Sequence, residues 1–350
     1  MFERTCSNGH ARTGRHPPTT RPRAVGRYRR ARGTRRGTVQ CVRLFISQAG
    51  VMALGACAPL TLGGTAPAAS PACAAPGGER LALQRGDGSS PIVTVTANGA
   101  GPFHLVLDTA ASGTTLDAEA VKKANLPRDT AMEQGEGIGG SVEVRLRKVA
   151  AVDAGPLRLR DATIAELPAP AFASHRVSGL GGIDLFGDRL AVWDLAGMSV
   201  SVSPSGALSG AAPCWRPLEV HWMRPWKVLA PISLDGRDGY AVIDTGMQQT
   251  ILNPVFAENL GLSAGGVALP VDGEITGIDG RPTPLLLARI ADARVGAWRW
   301  TDQPVHVADL PVFQRLGDPA APLAVLGMDW LRGKRFAIDY GQEKVWQAAD

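Results

Sequence analysis

The chain has 350 residues, is 45% hydrophobic and carries a formal charge of +5, with 42 Gly and 26 Pro, a composition suited to one or two domains of short strands joined by turns. The positive charge is confined to the start: residues 1–43 hold 12 Arg and one acid, Glu3, while the remainder holds 25 basic against 31 acidic residues. No basic stripe is left to follow a phosphate backbone, so nucleic acid is excluded as a partner, and the pI near 9.1 belongs to the leader.

In chain order, the Arg-rich segment reads as a solvated, disordered tail. An apolar stretch from Val42 to Leu62 follows, too interrupted by Arg43, Gln48 and Gly50 for a membrane span. A basic region followed by a short apolar one reads as a secretory signal, and Thr65-Ala66-Pro67-Ala68-Ala69-Ser70-Pro71-Ala72 supplies A-x-A-like cleavage sites. Leu54-Gly55-Ala56-Cys57 is similar to a bacterial lipobox, which would make Cys57 a lipidation site and give the protein a lipid anchor in the membrane. Both forms are exported, periplasmic or extracellular, and the sequence leaves the choice between them open. It also leaves open a start codon downstream of Met1. Residues 1–79 are assigned to this leader, signal and linker.

The five cysteines, Cys6, Cys41, Cys57, Cys73 and Cys214, fall mostly in or beside the leader, which gives neither a disulfide framework nor a zinc site. The six His show no ligand spacing, and His104 is expected to face out of a strand. No metal or cofactor is expected.

Beyond residue 79 the chain repeats itself. Phe103-His104-Leu105-Val106-Leu107-Asp108-Thr109-Ala110 is answered by Gly239-Tyr240-Ala241-Val242-Ile243-Asp244-Thr245-Gly246. Each copy drives an apolar strand into a carboxylate, and the offset of 136 that superposes the acids also carries Leu116 onto Leu252, Asp117 onto Asn253 and Leu126 onto Leu262. Upstream strands turn at Asn98-Gly99 and Asp235-Gly236. Downstream, Asp117 and Asn253 are placed as N-caps of short helices, with Pro254 at the first helical position. Next come two glycine-punctuated hairpins, 136–140 and 276–280, as flap candidates. The halves close with Leu180-Gly181-Gly182-Ile183-Asp184 answered by Val325-Leu326-Gly327-Met328-Asp329, then with strands ending in Asp194 and Asp339. Asp194 and Asp339 are expected to begin turns, Gly182 and Gly327 to pack closely beside the acid loops, and the tryptophans Trp215, Trp222, Trp226, Trp298 and Trp300 to serve core packing.

Hydrolysing a peptide without a metal or covalent nucleophile requires a base for water and an acid for the carbonyl oxygen. Two carboxyls within about 3 Å of each other supply both, because they cannot both ionise cheaply and so share one proton.

The order of acid-bearing strand, short helix, flap-like hairpin and apolar-apolar-Gly element resembles the retropepsin-like and pepsin-like aspartic protease superfamily, over residues 80–347. It is similar to the bacterial secreted members with two tandem lobes on one chain. The resemblance implies an all-β, bilobal acid-protease fold of two pseudo-twofold-related β-barrel lobes: 80–203 as the N-terminal lobe, 204–216 as linker and 217–350 as the C-terminal lobe. It implies an aspartic endopeptidase with Asp108 and Asp244 catalytic. Thr109, Ala110, Thr245 and Gly246 would support the active-site loops, the two threonines locking them together by hydrogen bonds, and Gly137, Ile138, Gly139, Gly277 and Ile278 would form flaps. A peptide or protein substrate would lie in a cleft of a monomer that is its own pseudo-dimer. Two positions depart from the family pattern: Ala110 stands where the first loop should have Gly, and Met247 and Gln248 follow the second Gly in place of a small residue. A catalytically impaired, peptide-binding homologue of the same fold is therefore the alternative.

Overall fold

The computed structural model describes residues 77–170, 172, 174–208, 214–223, 227–262, 268–277 and 280–349; the leader, Cys57, Trp226 and Ile278 lie outside them. Strands make up more than half of the described chain, with three short α-helices, Ala118–Lys123, Pro254–Asn259 and Met328–Leu331. Both asparagine- or aspartate-glycine turns form as the sequence predicts, with φ of 48° and 77° at Asn98 and Gly99 and of 45° and 77° at Asp235 and Gly236. Positive φ at both central positions twists the hairpin in the hand that its strands prefer. The helix caps also form: Asp117 accepts the Ala120 N–H at 2.6 Å and Asn253 the Phe256 N–H at 2.9 Å, while Pro254, needing no donor, opens the second helix.

The two halves build matching sheets. In the first, strand Pro91–Ala97 pairs antiparallel with Ala100–Leu107, which pairs parallel with Gly179–Gly181. In the second, Lys227–Leu234 pairs with Arg237–Ile243, which pairs parallel with Leu323–Leu326. The second sheet closes on itself, because Lys227–Leu234 also meets Pro282–Val295 at Ser233↔Arg294 and Leu234↔Ala293. In each half a long hairpin continues the sheet: Arg128–Gly137 with Gly140–Ala154, and Val271–Thr276 with Pro282–Val295. A parallel pair cannot be linked by a tight turn, and each connection here contains the helix and this hairpin.

A six-stranded sheet joins the halves, in the order Glu79–Ala82, Ser199–Ser203, Leu190–Asp194, Arg335–Asp339, Lys344–Ala348, Trp215–Leu218. Its middle pair is antiparallel, with Val192 opposite Ala337, so the local twofold runs between the halves. Behind it lies an aromatic core in which Trp193 stacks on Phe336 at 5.9 Å and 11° and Phe186 meets Trp193 at 5.5 Å. Such pairs add about 0.5–1.5 kcal/mol each to their burial. Trp215 and Trp298 are buried and Trp300 packs on Trp330 at 5.3 Å, so the described tryptophans serve packing. His104 is half-buried on its strand and meets Thr94 at 3.3 Å.

Asp194 and Asp339 begin turns, as expected: Asp194 accepts the Gly197 N–H, and Asp339 accepts the N–H groups of Gly341 and Gln342. Asp339 also ties down the segment between the halves, accepting from Ser205 Oγ at 2.6 Å and from the Gly206 N–H at 2.7 Å. One feature differs from the sequence expectation: Cys214 is disulfide-bonded. Cysteine spacing misses such a bond because it detects local frameworks, and a single cystine can join residues far apart in sequence.

Gly182 and Gly327 pack closely beside the acid loops, as expected. A Cβ on Gly182 would lie 2.5 Å from the Gly113 carbonyl carbon, and one on Gly327 2.5 Å from the Gln249 carbonyl oxygen. Backbone atoms cannot swing aside as a side chain can. Gly327→Ala is therefore expected to lower stability by about 1–3 kcal/mol, read as a lower urea midpoint with an unchanged slope; an unchanged midpoint would show that the loop yields freely.

Candidate active site

Each acid stands where its strand's ladder ends. Leu107 and Ile243 are fully buried, and the next residues give their N–H groups to the neighbouring parallel strand, Asp108 to the Gly181 carbonyl at 3.0 Å and Asp244 to the Leu326 carbonyl at 3.1 Å. The chain then turns back, so each carboxyl accepts from its own loop: Asp108 Oδ1 from the N–H groups of Ala110 (2.7 Å) and Ala111 (3.1 Å), Asp244 Oδ1 from those of Gly246 (2.9 Å) and Met247 (3.0 Å).

The threonines bind the two loops to each other. The Thr109 N–H donates to Thr245 Oγ1 and the Thr245 N–H to Thr109 Oγ1, both at 3.1 Å. Each hydroxyl then donates across the axis to the carbonyl preceding the opposite acid, Thr109 to Ile243 and Thr245 to Leu107, both at 2.7 Å. Both threonines are buried, so breaking one leaves an orphaned polar group whose desolvation costs about 1–3 kcal/mol.

This lock brings the carboxyls together. Asp108 and Asp244 line one cleft, and the Asp244 carboxyl is held well above the ordinary carboxylate range by burial first and by the negative charge of Asp108 second, against the opposing cation of Lys227. Gly246 is required by the same proximity, since a Cβ there would lie 2.5 Å from Asp108 Cγ. Ala110, at the matched position of the other loop, keeps its N–H on Asp108 at a non-positive φ, so the methyl neither blocks the donor nor strains the backbone. Met247 is accommodated too: its carbonyl accepts the Met328 N–H at 2.8 Å and its side chain packs against a buried apolar cluster that includes Val242, Phe313 and Val325.

The repeated acids Asp184 and Asp329 buttress the loops. Asp184 accepts the Thr114 N–H and hydroxyl at 2.9 and 2.7 Å, and Asp329 accepts those of Thr250 at 3.0 and 2.7 Å. Each threonine hydroxyl in turn accepts the N–H of Gly182 or Gly327. Burial raises the carboxyl pKa of both Asp184 and Asp329.

A cleft of about 650 Å³ lies over the acids and includes Gly137, Ile138, Gly277 and Gly280 on its walls. Gly137 ends a strand, and Ile138 and Gly139 form the hairpin tip. That tip reaches the other half: the Ile138 carbonyl accepts the Val312 N–H at 3.4 Å, and Arg315 donates to Ser141 Oγ at 2.7 Å. One residue on the cleft is absent from the sequence expectations. Lys227 is 4% exposed, and its ammonium donates to the Ala110 carbonyl. The signal was present: the 136-residue offset sets Lys227 against Pro91, a cation where the repeat has an imino acid at the head of a buried strand.

Among the described residues no cluster of His, Cys, Asp and Glu could hold a metal ion. No curated protein matches the chain. A family model for aspartyl proteases matches residues 93–184 and 230–330, more than half of the chain, each match running from the strand before an acid to its Asp184 or Asp329 buttress. The chain belongs to the aspartyl protease family, and membership points to aspartic-type peptidase activity.

Proposed function

We propose that the protein is an aspartic endopeptidase in which Asp108 and Asp244 share one proton and activate a water between them. The observation that carries this is the pair itself, two acids from separate halves set in one cleft by loops that Thr109 and Thr245 lock together. Asp244, with its pKa raised, holds the shared proton, and Asp108 is the base. A peptide enters the cleft beneath the hairpin tips, which present strand edges that an extended chain can extend. Asp108 takes a proton from the water as its oxygen attacks the scissile carbonyl carbon, and Asp244 delivers its proton to the carbonyl oxygen. The resulting gem-diol collapses: the C–N bond breaks, the amine leaves with the proton that Asp108 took up, and Asp244 recovers a proton from a diol hydroxyl. The atoms balance with water as the only co-reactant.

One chain supplies both acids, so no second copy is needed to complete the site. Export is supported by the basic-then-apolar leader and by the cystine at Cys214, since such bonds persist in oxidising compartments.

Asp108→Asn and Asp244→Asn are each expected to lower cleavage of an unfolded protein substrate by roughly 10²–10⁴-fold; purified Asn variants that cleave at the wild-type rate would rule the mechanism out. A second outcome needs no substrate. Because the folded-state pKa of Asp244 is raised, its contribution to stability is complete below the unfolded-state carboxyl pKa and is lost as pH rises through the folded value. The thermal midpoint of Asp244→Asn is thus expected to exceed that of the wild type near neutral pH, with the gap closing toward pH 3. Parallel pH–stability curves for the two proteins would show that Asp244 ionises without penalty.

A further inference from the structure

Lys227 is unaccounted for by the two-acid chemistry. It opens the strand Lys227–Leu234 opposite Met223, is 4% exposed, and lines the same cleft as Asp108 and Asp244. Burying an ammonium costs several kcal/mol unless anions and hydrogen-bond acceptors replace its water. Here the acceptor is the Ala110 carbonyl, two residues past Asp108, and the anions whose charge it feels are Asp108 and Asp244. We propose that Lys227 is a positioning residue that tethers the first acid loop from the second half and, by its charge, sets the pH window in which the two acids share one proton.

The charge count explains why. One cation beside a carboxyl pair that holds one proton makes a neutral buried site. Adding a proton leaves the cation unbalanced, and removing the last one leaves net negative charge. Lys227 therefore favours loss of each proton from the pair and moves both limits of the singly protonated state to lower pH. Burial pushes the lysine's own pKa down, and the two carboxylates oppose that shift. Other titratable groups nearby on the described elements do not substitute for it. Tyr340, after the strand Arg335–Asp339, is buried with its phenol pKa raised by burial and then by the charge of Asp108, and so stays neutral. His221, on the strand paired with Lys227–Leu234, packs edge-on against Tyr240 at 5.1 Å. Glu274, on a flap strand lining the cleft, is an acid and cannot replace the cation.

This inference rests on the shared-proton reading of the acids, and the test separates the two. The pH profile of kcat/KM is measured on an unfolded protein substrate for the wild type and for Lys227→Met, Lys227→Gln and Lys227→Arg. Both limbs are expected to move to higher pH by about one unit in the Met and Gln variants and to stay in place in the Arg variant. Gln keeps a donor for the Ala110 carbonyl, so a loss of rate with unmoved limbs would reduce Lys227 to a tether and overturn the proposal. In parallel, the Lys227 15Nζ signal is titrated in the wild type and in the double variant Asp108→Asn/Asp244→Asn, which removes the negative charge of the pair in any protonation state. Its loss is expected to lower the lysine's pKa, and an unchanged titration would overturn the charge coupling even in a protein that cleaves nothing. A wild type without cleavage whose Lys227 nevertheless responds to the double variant would sink the protease reading and leave the coupling standing.

Discussion

Everything at the site depends on the hydrogen bonds that Thr109 and Thr245 exchange across the axis between the halves. A carboxyl pair is intrinsically unstable: two like charges at contact repel, and burial penalises each of them. Unless the backbone holds them, two such acids separate into water. The threonines prevent this without approaching the acids' free oxygens, because each hydroxyl accepts the N–H of the opposite threonine and donates to the carbonyl that precedes the opposite acid. The constraint is reciprocal, so neither loop can shift without orphaning groups in the other.

The lock works only if each loop arrives at the axis already rigid. Rigidity comes from the pairs of Asp184 with Thr114 and Asp329 with Thr250, and from glycines whose missing side chains let the 182 and 327 backbones rest on the loops. The six-stranded sheet fixes the remaining degree of freedom. Its central strands pair across the same axis, so a slip of one half would break a continuous ladder as well as the threonine bonds. Site geometry and interdomain stability are thereby coupled: the contacts that hold the halves together also hold the acids.

Much of this was legible in the sequence because duplication gives every element a second witness. An Asp-Thr pair alone is a turn, whereas two at a fixed offset, each preceded by an apolar strand and followed by a capping Asp117 or Asn253, define a frame in which hairpins and glycines can be placed. The sequence was silent where the copies differ or where partners are remote. Lys227 has no counterpart in the first half, and the reach of its ammonium to the Ala110 carbonyl follows from a strand register that periodicity does not reveal. The cystine at Cys214 and the order of the joining sheet escaped for the same reason, being set by residues distant in sequence.

The two departures from the repeat, Ala110 and Lys227, meet at one point. In the second loop, the backbone at Gly246 approaches Asp108 so closely that a Cβ would collide with it. The first loop carries a real methyl at the matched position, so the mirror contact with Asp244 cannot exist at that distance and the twofold must break at the carboxyls. Lys227 takes hold of the first loop at Ala110 itself, the residue where symmetry fails. An exact twofold would give a shared proton equal claims on both acids. With a methyl on one loop and a cation bound to it, the two acids stand in different surroundings. Divergence between the duplicated halves thus builds into the chain an asymmetry that two identical lobes could acquire only when a substrate binds.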